Sequence, residues 1–153
     1  MFRKPAGHPG YVAWHQDNAY PGRDAAPAIS AWVALTESNA ENGCMRVIPG
    51  SHGALLPHRD SADPDNLLRA GQSVDAAIDP ARAVDVILRP GEVSLHHGRI
   101  VHGSNPNRST GPRIGFVIRY TTPAFPDPGF PVVLARGDRA ACRHLTLAEP
   151  PSA

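Results

Sequence analysis

Apolar positions along this chain fall in short runs separated by turn residues, and few of the runs exceed strand length. Residues 10–15 alternate β-favouring side chains and predict a strand that ends in a polar stretch, residues 16–22, with turn chemistry. Residues 28–36 form a second, mostly apolar run. A polar loop at 39–43 with Asn42-Gly43 at its end, and a third run at 44–48, make this region read as a strand, a hairpin turn and a return strand closing at Pro49 to His52. Residues 55–80 turn polar and show at most one short helix, around 65–70. They are expected to run over the surface as a lid or specificity loop, because so long an irregular excursion is seldom idle in a compact domain. Strands are expected again at 83–88, at 93–96 after the Pro90-Gly91 turn, and at 113–120. Beyond Thr121 the composition becomes Pro-rich and a frayed tail is expected.

Composition sharpens the fold class. Seventeen prolines and fourteen glycines in 153 residues disfavour long helices and favour short strands with tight turns, so an all-β architecture is expected. The length suits one domain, 1–153, with a core at 10–121 and a Pro-rich tail at 122–153. A net charge of +1 with no basic run argues against nucleic acid and anionic membranes as partners. No apolar stretch nears the roughly 20 residues that span a bilayer, and the first residues lack the apolar centre of a secretory signal, so a cytoplasmic protein is expected. Cys44 and Cys142 form no Cys-x-x-Cys pattern and read as small buried residues.

Candidate chemistry sits at the strand ends. His15 and Asp17 lie two residues apart, so on an extended strand end both side chains point to one side. A third ligand is available in His102, which ends an apolar approach and is followed by Gly103-Ser104. Two histidines and a carboxylate leave three octahedral positions open, as non-haem iron(II) oxygenases require. A His-x-Asp tripeptide alone is weak, since a surface histidine hydrogen-bonded to a nearby aspartate is commoner. Arg113 opens an apolar strand, where a cation is costly without an anionic partner, and a carboxylate would match its guanidinium fork. Alternation puts Arg113, Gly115, Val117 and Arg119 on one face and does not choose between the arginines. Ser104 could share the side of His102 or be an ordinary turn serine.

Taken in order, Trp14-His15-Gln16-Asp17, then Trp32 to Leu35, Glu41 to His52, and His96 to Ser109 with Arg113 resemble the phytanoyl-CoA dioxygenase family, over about residues 10–120. The resemblance implies a double-stranded β-helix, the jelly-roll of the cupins, with few short helices. It implies iron(II) held by His15, Asp17 and His102. It also implies 2-oxoglutarate bound through Arg113 and Ser104 in a pocket lined by Trp32. The implied reaction uses O2 to hydroxylate a small-molecule substrate and releases succinate and CO2, and the presence of Asp17 argues against halogenation. Two other readings keep the same ligands: a non-catalytic cupin-like module binding a metal or small ligand, and a zinc-dependent hydrolase or isomerase. Family members carry a long N-terminal region before the His-x-Asp, whereas here His15 comes almost at once. The chain is therefore expected to be either an N-terminally truncated domain or a naturally short homologue, and a sheet without flanking strands exposes edges and an apolar face, to be completed in a homo-oligomer or by a partner.

The remaining candidates read more blandly. His96 and His97 are expected to orient ligands or support structure. His52 is expected in a loop near the barrel mouth, and His8, His58 and His144 are expected to face solvent. Gln16 and Asn18 flank the metal motif and could touch substrate. Trp14 is expected in the core.

Overall fold

The structure is a computed structural model and describes residues 1–19, 27–68, 72–124, 129 and 131–149. Its strands are β1 (Phe2–Lys4), β2 (Val12–His15), β3 (Ala28–Ala34), β4 (Met45–Val47), β5 (His58–Asp60), β6 (Gln72–Val74), β7 (Val84–Val86), β8 (Val93–His97), β9 (His102–Ser104), β10 (Arg113–Thr121), β11 (Val132–Val133) and β12 (Leu147–Ala148). Helical structure among the described residues is confined to single 3-10 turns at Ser51–Gly53, Pro80–Arg82 and Arg139–Cys142. Among the described residues no helix is long and apolar enough to cross a membrane.

Two four-stranded antiparallel sheets carry the fold, ordered β1-β10-β3-β8 and β2-β9-β4-β7. This is the expected all-β double-stranded β-helix. β3 is central because its seven residues pair on one edge with β10, from Gly115 opposite Ala34 to Thr121 opposite Ala28, and on the other with β8. Both edges of β3 are thus taken, and the expected hairpin with residues 44–48 does not form. Instead the loop after β3 crosses to the other sheet, where β4 pairs with β7 and β9. Reciprocal hydrogen bonds between Asn39 and Asn42, with Gly43 at φ 73, make that crossing turn.

Three further expectations change. β1 was not foreseen; its Phe2, Arg3 and Lys4 sit opposite Gly115, Ile114 and Arg113. Within 55–80, Asp65 and Asn66 form a turn and a bridge rather than a helix, residues 69–71 lie outside the described residues, and β5 and β6 make a small hairpin. That segment is not merely a surface excursion, since Leu56, Val74 and Ile78 pack with Ile48, Val101 and Trp14 in an apolar cluster. The tail also holds structure: β11 and β12 pair in parallel, and the Arg139–Cys142 turn buries Cys142. Residues 150–153 and 20–22, the ends of the expected tail and polar stretch, lie outside the described residues.

The face of the first sheet that points away from the second is apolar and open. Ile29, Val93, Leu95, Phe116, Ile118 and Tyr120 are exposed there, Leu95 to 71%. On the inner face the Trp32 ring crosses Gly115, where an added Cβ would lie 2.1 Å from the indole. Gly115→Ala should therefore displace the ring and lower stability by about 1–3 kcal/mol, read as the urea unfolding midpoint.

Candidate metal centre and anion pocket

The centre begins with strand register. β2 and β9 pair antiparallel with His15 opposite His102, and the two rings approach to 4.1 Å between centroids. A carbonyl oxygen only accepts, so each ring must donate through Nδ1, His15 to Ala13 O at 2.9 Å and His102 to Ile100 O at 3.0 Å. This fixes the tautomer and leaves the Nε2 lone pairs for a metal, the arrangement usual for metal-binding histidines. Asp17 follows two residues after His15, and one ligand atom from each of His15, Asp17 and His102 lies within 4.8 Å of the others. All three residues are buried.

Burial disfavours protonation of the imidazoles. The His102 pKa is pushed down to about 3 by desolvation and by neighbouring His15, and that of His15 is lowered by desolvation above all. Burial alone would raise the Asp17 carboxyl. His96 beside the carboxylate, together with His102, Arg119 and His15, outweighs it and holds the group well below the usual carboxylate range. Asp17 is gripped on both oxygens: Ser30 Oγ donates to Oδ2 at 2.7 Å, and Arg119 Nη2 lies 2.5 Å from Oδ1. His96 Nε2 stands 3.6 Å from Oδ2, which agrees with an orienting part for this histidine. Two neutral Nε2 donors and an ionised carboxylate suit a first-row divalent ion.

Gln16, between the ligands, points the other way. Its amide donates to Ala54 O at 2.8 Å and to Arg99 O, and accepts from Leu56 N at 2.8 Å, while its backbone N–H donates to His58 Nε2 at 3.1 Å. Gln16 is therefore a buried tie rather than a substrate contact, and His58 is a half-buried acceptor rather than a solvent-facing residue. Asn18 is buried with its backbone N–H on Gly98 O, and Trp14 is half-buried beneath the Arg46 guanidinium. His52 is exposed in the Ser51–Gly53 turn, 5.6 Å from the His97 ring.

A cavity of about 610 Å³ opens on the centre, and His15, Asp17, Trp32, His102, Ser104 and Arg113 all line it. Every residue expected at the site thus reaches one space. Arg113 is 4% exposed, donates through Nη1 to Gly43 O, and lies over the Trp32 ring at 5.1 Å. Its Nε is buried without a hydrogen-bond partner. Of the two arginines on this face of β10, Arg119 has a carboxylate in Asp17, whereas Arg113 has no acidic partner among the described residues. Leu67 and Leu68 bring the 55–80 segment to the cavity rim.

The family profile described as phytanoyl-CoA dioxygenase (PhyH) matches residues 1–115. This chain belongs to the PhyH family. Among PhyH relatives, a probable alpha-ketoglutarate-dependent hypophosphite dioxygenase of Stutzerimonas stutzeri is 36% identical over 121 residues, 78% of this chain and 42% of the relative. The structure is similar to that of EvdO2 from Micromonospora carbonacea var. aurantiaca in complex with 2-oxoglutarate, with TM-score 0.69, 34% identity, and coverage of 78% of this chain and 49% of that one. It is also similar to the non-heme monooxygenase ThoJ in a nickel complex, with TM-score 0.69, 30% identity, and coverage of 99% and 54%. The chain spans about half or less of the length of the relatives it matches.

The PhyH resemblance did not point to Lys4. This residue is 2% exposed, sits opposite Arg113 in the β1–β10 register, and donates through Nζ to Ser104 Oγ at 2.7 Å and to Asn105 O. Desolvation, then the adjacent Arg113 charge, lowers its pKa from 10.5 to about 7. Between these values the unfolded chain holds a proton on Lys4 that the folded chain tends to lose, so folding stability rises with pH. Above pH 9 the Cys44 thiol, raised by burial to about 11, acts in the opposite sense. The stability of the ligand-free protein should therefore increase from pH 7 to 9, by at most about 1.4 kcal/mol per unit, and Lys4→Met should flatten the rise in denaturant midpoints.

Proposed function

We propose that this chain carries the active centre of an iron(II)- and 2-oxoglutarate-dependent dioxygenase that hydroxylates a small molecule with release of succinate and CO2. One observation carries the reading: a His-Asp-His cluster and a buried arginine with no acidic partner among the described residues open onto the same cavity. His15, Asp17 and His102 hold the metal, with Nδ1 of each ring tied to backbone and Asp17 held by Ser30 and Arg119. Arg113 anchors the distal carboxylate of 2-oxoglutarate, Ser104 adds a hydroxyl, and Trp32 keeps the guanidinium from turning away. Iron and O2, when bound, supply the oxidation itself. The protein's share is to fix the ligands, neutralise the co-substrate and line the cavity.

The printed descriptions of relatives, an alpha-ketoglutarate-dependent dioxygenase and an oxygenase structure holding 2-oxoglutarate, support this reading. A zinc hydrolase on the same ligands gives no reason to bury Arg113 beside the metal cluster. The 55–80 segment contributes to substrate choice through Leu67 and Leu68. Residues 1–153 belong to a single dioxygenase domain that acts in the cytoplasm. A second copy covers the open face of the first sheet, because its exposed Ile29, Val93, Leu95, Phe116, Ile118 and Tyr120 bring no like charges together. Light scattering should give a dimer mass, and Leu95→Glu should give a monomer. A wild-type monomer at micromolar concentration would refute the dimer.

Iron(II) followed by 2-oxoglutarate, added without oxygen, should give a weak visible charge-transfer band that saturates. His102→Ala and Asp17→Ala should lose metal binding, and Arg113→Ala should keep the metal while weakening 2-oxoglutarate roughly 10- to 100-fold. Admitting oxygen and substrate should then yield succinate. A folded protein that binds iron without forming the band defeats the proposal; a band with no succinate under any substrate indicates a binding module.

A further inference from the structure

Lys4 and Arg113 are cross-strand neighbours with side chains buried together, an arrangement that by itself is unfavourable for two like charges. Neither has a carboxylate ion pair among the described residues. Arg113 and Ser104 line the cavity, while Lys4 lies behind them and does not. The contact between Lys4 and Ser104 is directional. Because Nζ donates to Ser104 Oγ, a lone pair of that oxygen is occupied, and the hydroxyl hydrogen is left to be donated elsewhere. A second donation, to Asn105 O, holds the amine at this angle.

Building on the assignment of 2-oxoglutarate above, we infer that Lys4 is a positioning residue for the co-substrate. It turns the Ser104 hydroxyl toward the distal carboxylate and, with Arg113, makes the pocket select 2-oxo acids that carry a second carboxylate. The ligand brings the negative charge that the buried pair lacks and so favours the protonated amine, and Lys4 acts on it through Ser104 and through the field without touching it. A lysine that only pins β1 to the 104–105 segment would affect all ligands of the cavity alike.

The test compares 2-oxoglutarate with 2-oxobutyrate, which keeps the 2-oxo-acid head and lacks the distal carboxylate. Both are titrated calorimetrically into the manganese(II)-loaded protein, so that no turnover is needed. In Lys4→Met, 2-oxoglutarate should bind roughly 10- to 100-fold more weakly, while 2-oxobutyrate binds as it does to the wild type. Equal losses for the two ligands, or no loss for either, would overturn the role of Lys4 while leaving the co-substrate reading intact, since the wild type still binds 2-oxoglutarate. If the wild type binds neither acid, the co-substrate reading fails and this inference with it. Should Lys4→Met not fold by circular dichroism, Ser104→Ala retains the amine and removes only the hydroxyl. Its loss must also be confined to 2-oxoglutarate, and a loss shared with 2-oxobutyrate would refute the relay.

Discussion

The pairing of β2 with β9 sets His15 opposite His102, and most of the centre depends on it. Side chains alternate along a strand, so a slip of one residue would turn one imidazole to the outer face and leave a single histidine beside Asp17. The same slip would move Ser104, two residues from His102, out of the cavity that Arg113 enters. Several contacts resist it. At Gly103 a Cβ would stand 2.8 Å from Val12 O and 3.2 Å from the Trp14 ring, so the strands approach closely there only because the side chain is absent. β4 holds the other edge of β9, with Val47 opposite His102. The Gln16 amide then ties the ligand-bearing segment to Ala54, Leu56 and Arg99, so the metal motif is fastened to the surrounding loops.

Legibility followed the length of the pattern. β2, β3, β4, β7, β8 and β10 were readable because each falls in an apolar or alternating run of four to nine residues, and the structure places a strand within or just beyond each run. β1, β5, β6, β11 and β12 have two or three residues each, too few for any period to emerge. The mistaken hairpin has another origin. Turn chemistry at 39–43 was read correctly, but a turn does not say which strand edges are free, and β3 had already used both. The cavity gathers His15, Asp17, Trp32, His102, Ser104 and Arg113, which the family resemblance named together, whereas alternation alone left Arg113 and Arg119 undecided and said nothing of Trp32. Lys4 and Gln16 were not legible, since Arg3-Lys4-Pro5 looks like a solvated charge cluster and Gln16 like a loop residue. Only partners about forty to a hundred residues away along the chain make them buried.

Charge is distributed unevenly along one strand face. Arg113 and Arg119 occupy the same side of β10, six residues apart, yet among the described residues only Arg119 meets a carboxylate. Arg119 is also the less buried, its side chain 30% exposed, and water shares its solvation. Arg113 and Lys4 are more deeply buried and have no carboxylate partner among the described residues, and desolvation drags down both pKa values. Stability alone does not favour such a pair, because an apolar replacement of similar volume would remove the desolvation penalty. A ligand carrying its own negative charge reverses that balance on binding.

The interior between the two sheets is therefore used for chemistry more than for packing. Lys4, His15, Asp17, Ser30, His102 and Arg113 occupy positions where a sandwich would ordinarily bury aliphatic side chains, and apolar residues on the same face of β3 include the alanines Ala28 and Ala34. Hydrophobic burial has to be found on the outer faces instead. On the second sheet the 55–80 segment supplies it, closing Leu56, Val74 and Ile78 over Trp14, Ile48 and Val101. Val101 and His102 are adjacent and face opposite ways, so the residue that anchors this outer cluster also sets the direction of the ligand beside it. No described segment does the same for the first sheet, whose outer side chains at Leu95, Phe116 and Tyr120 stay in solvent. Because β10 and β3 carry Arg113, Ser30 and Trp32 on their inner side, whatever covers that face would stiffen the anion pocket and the grip on Asp17 together.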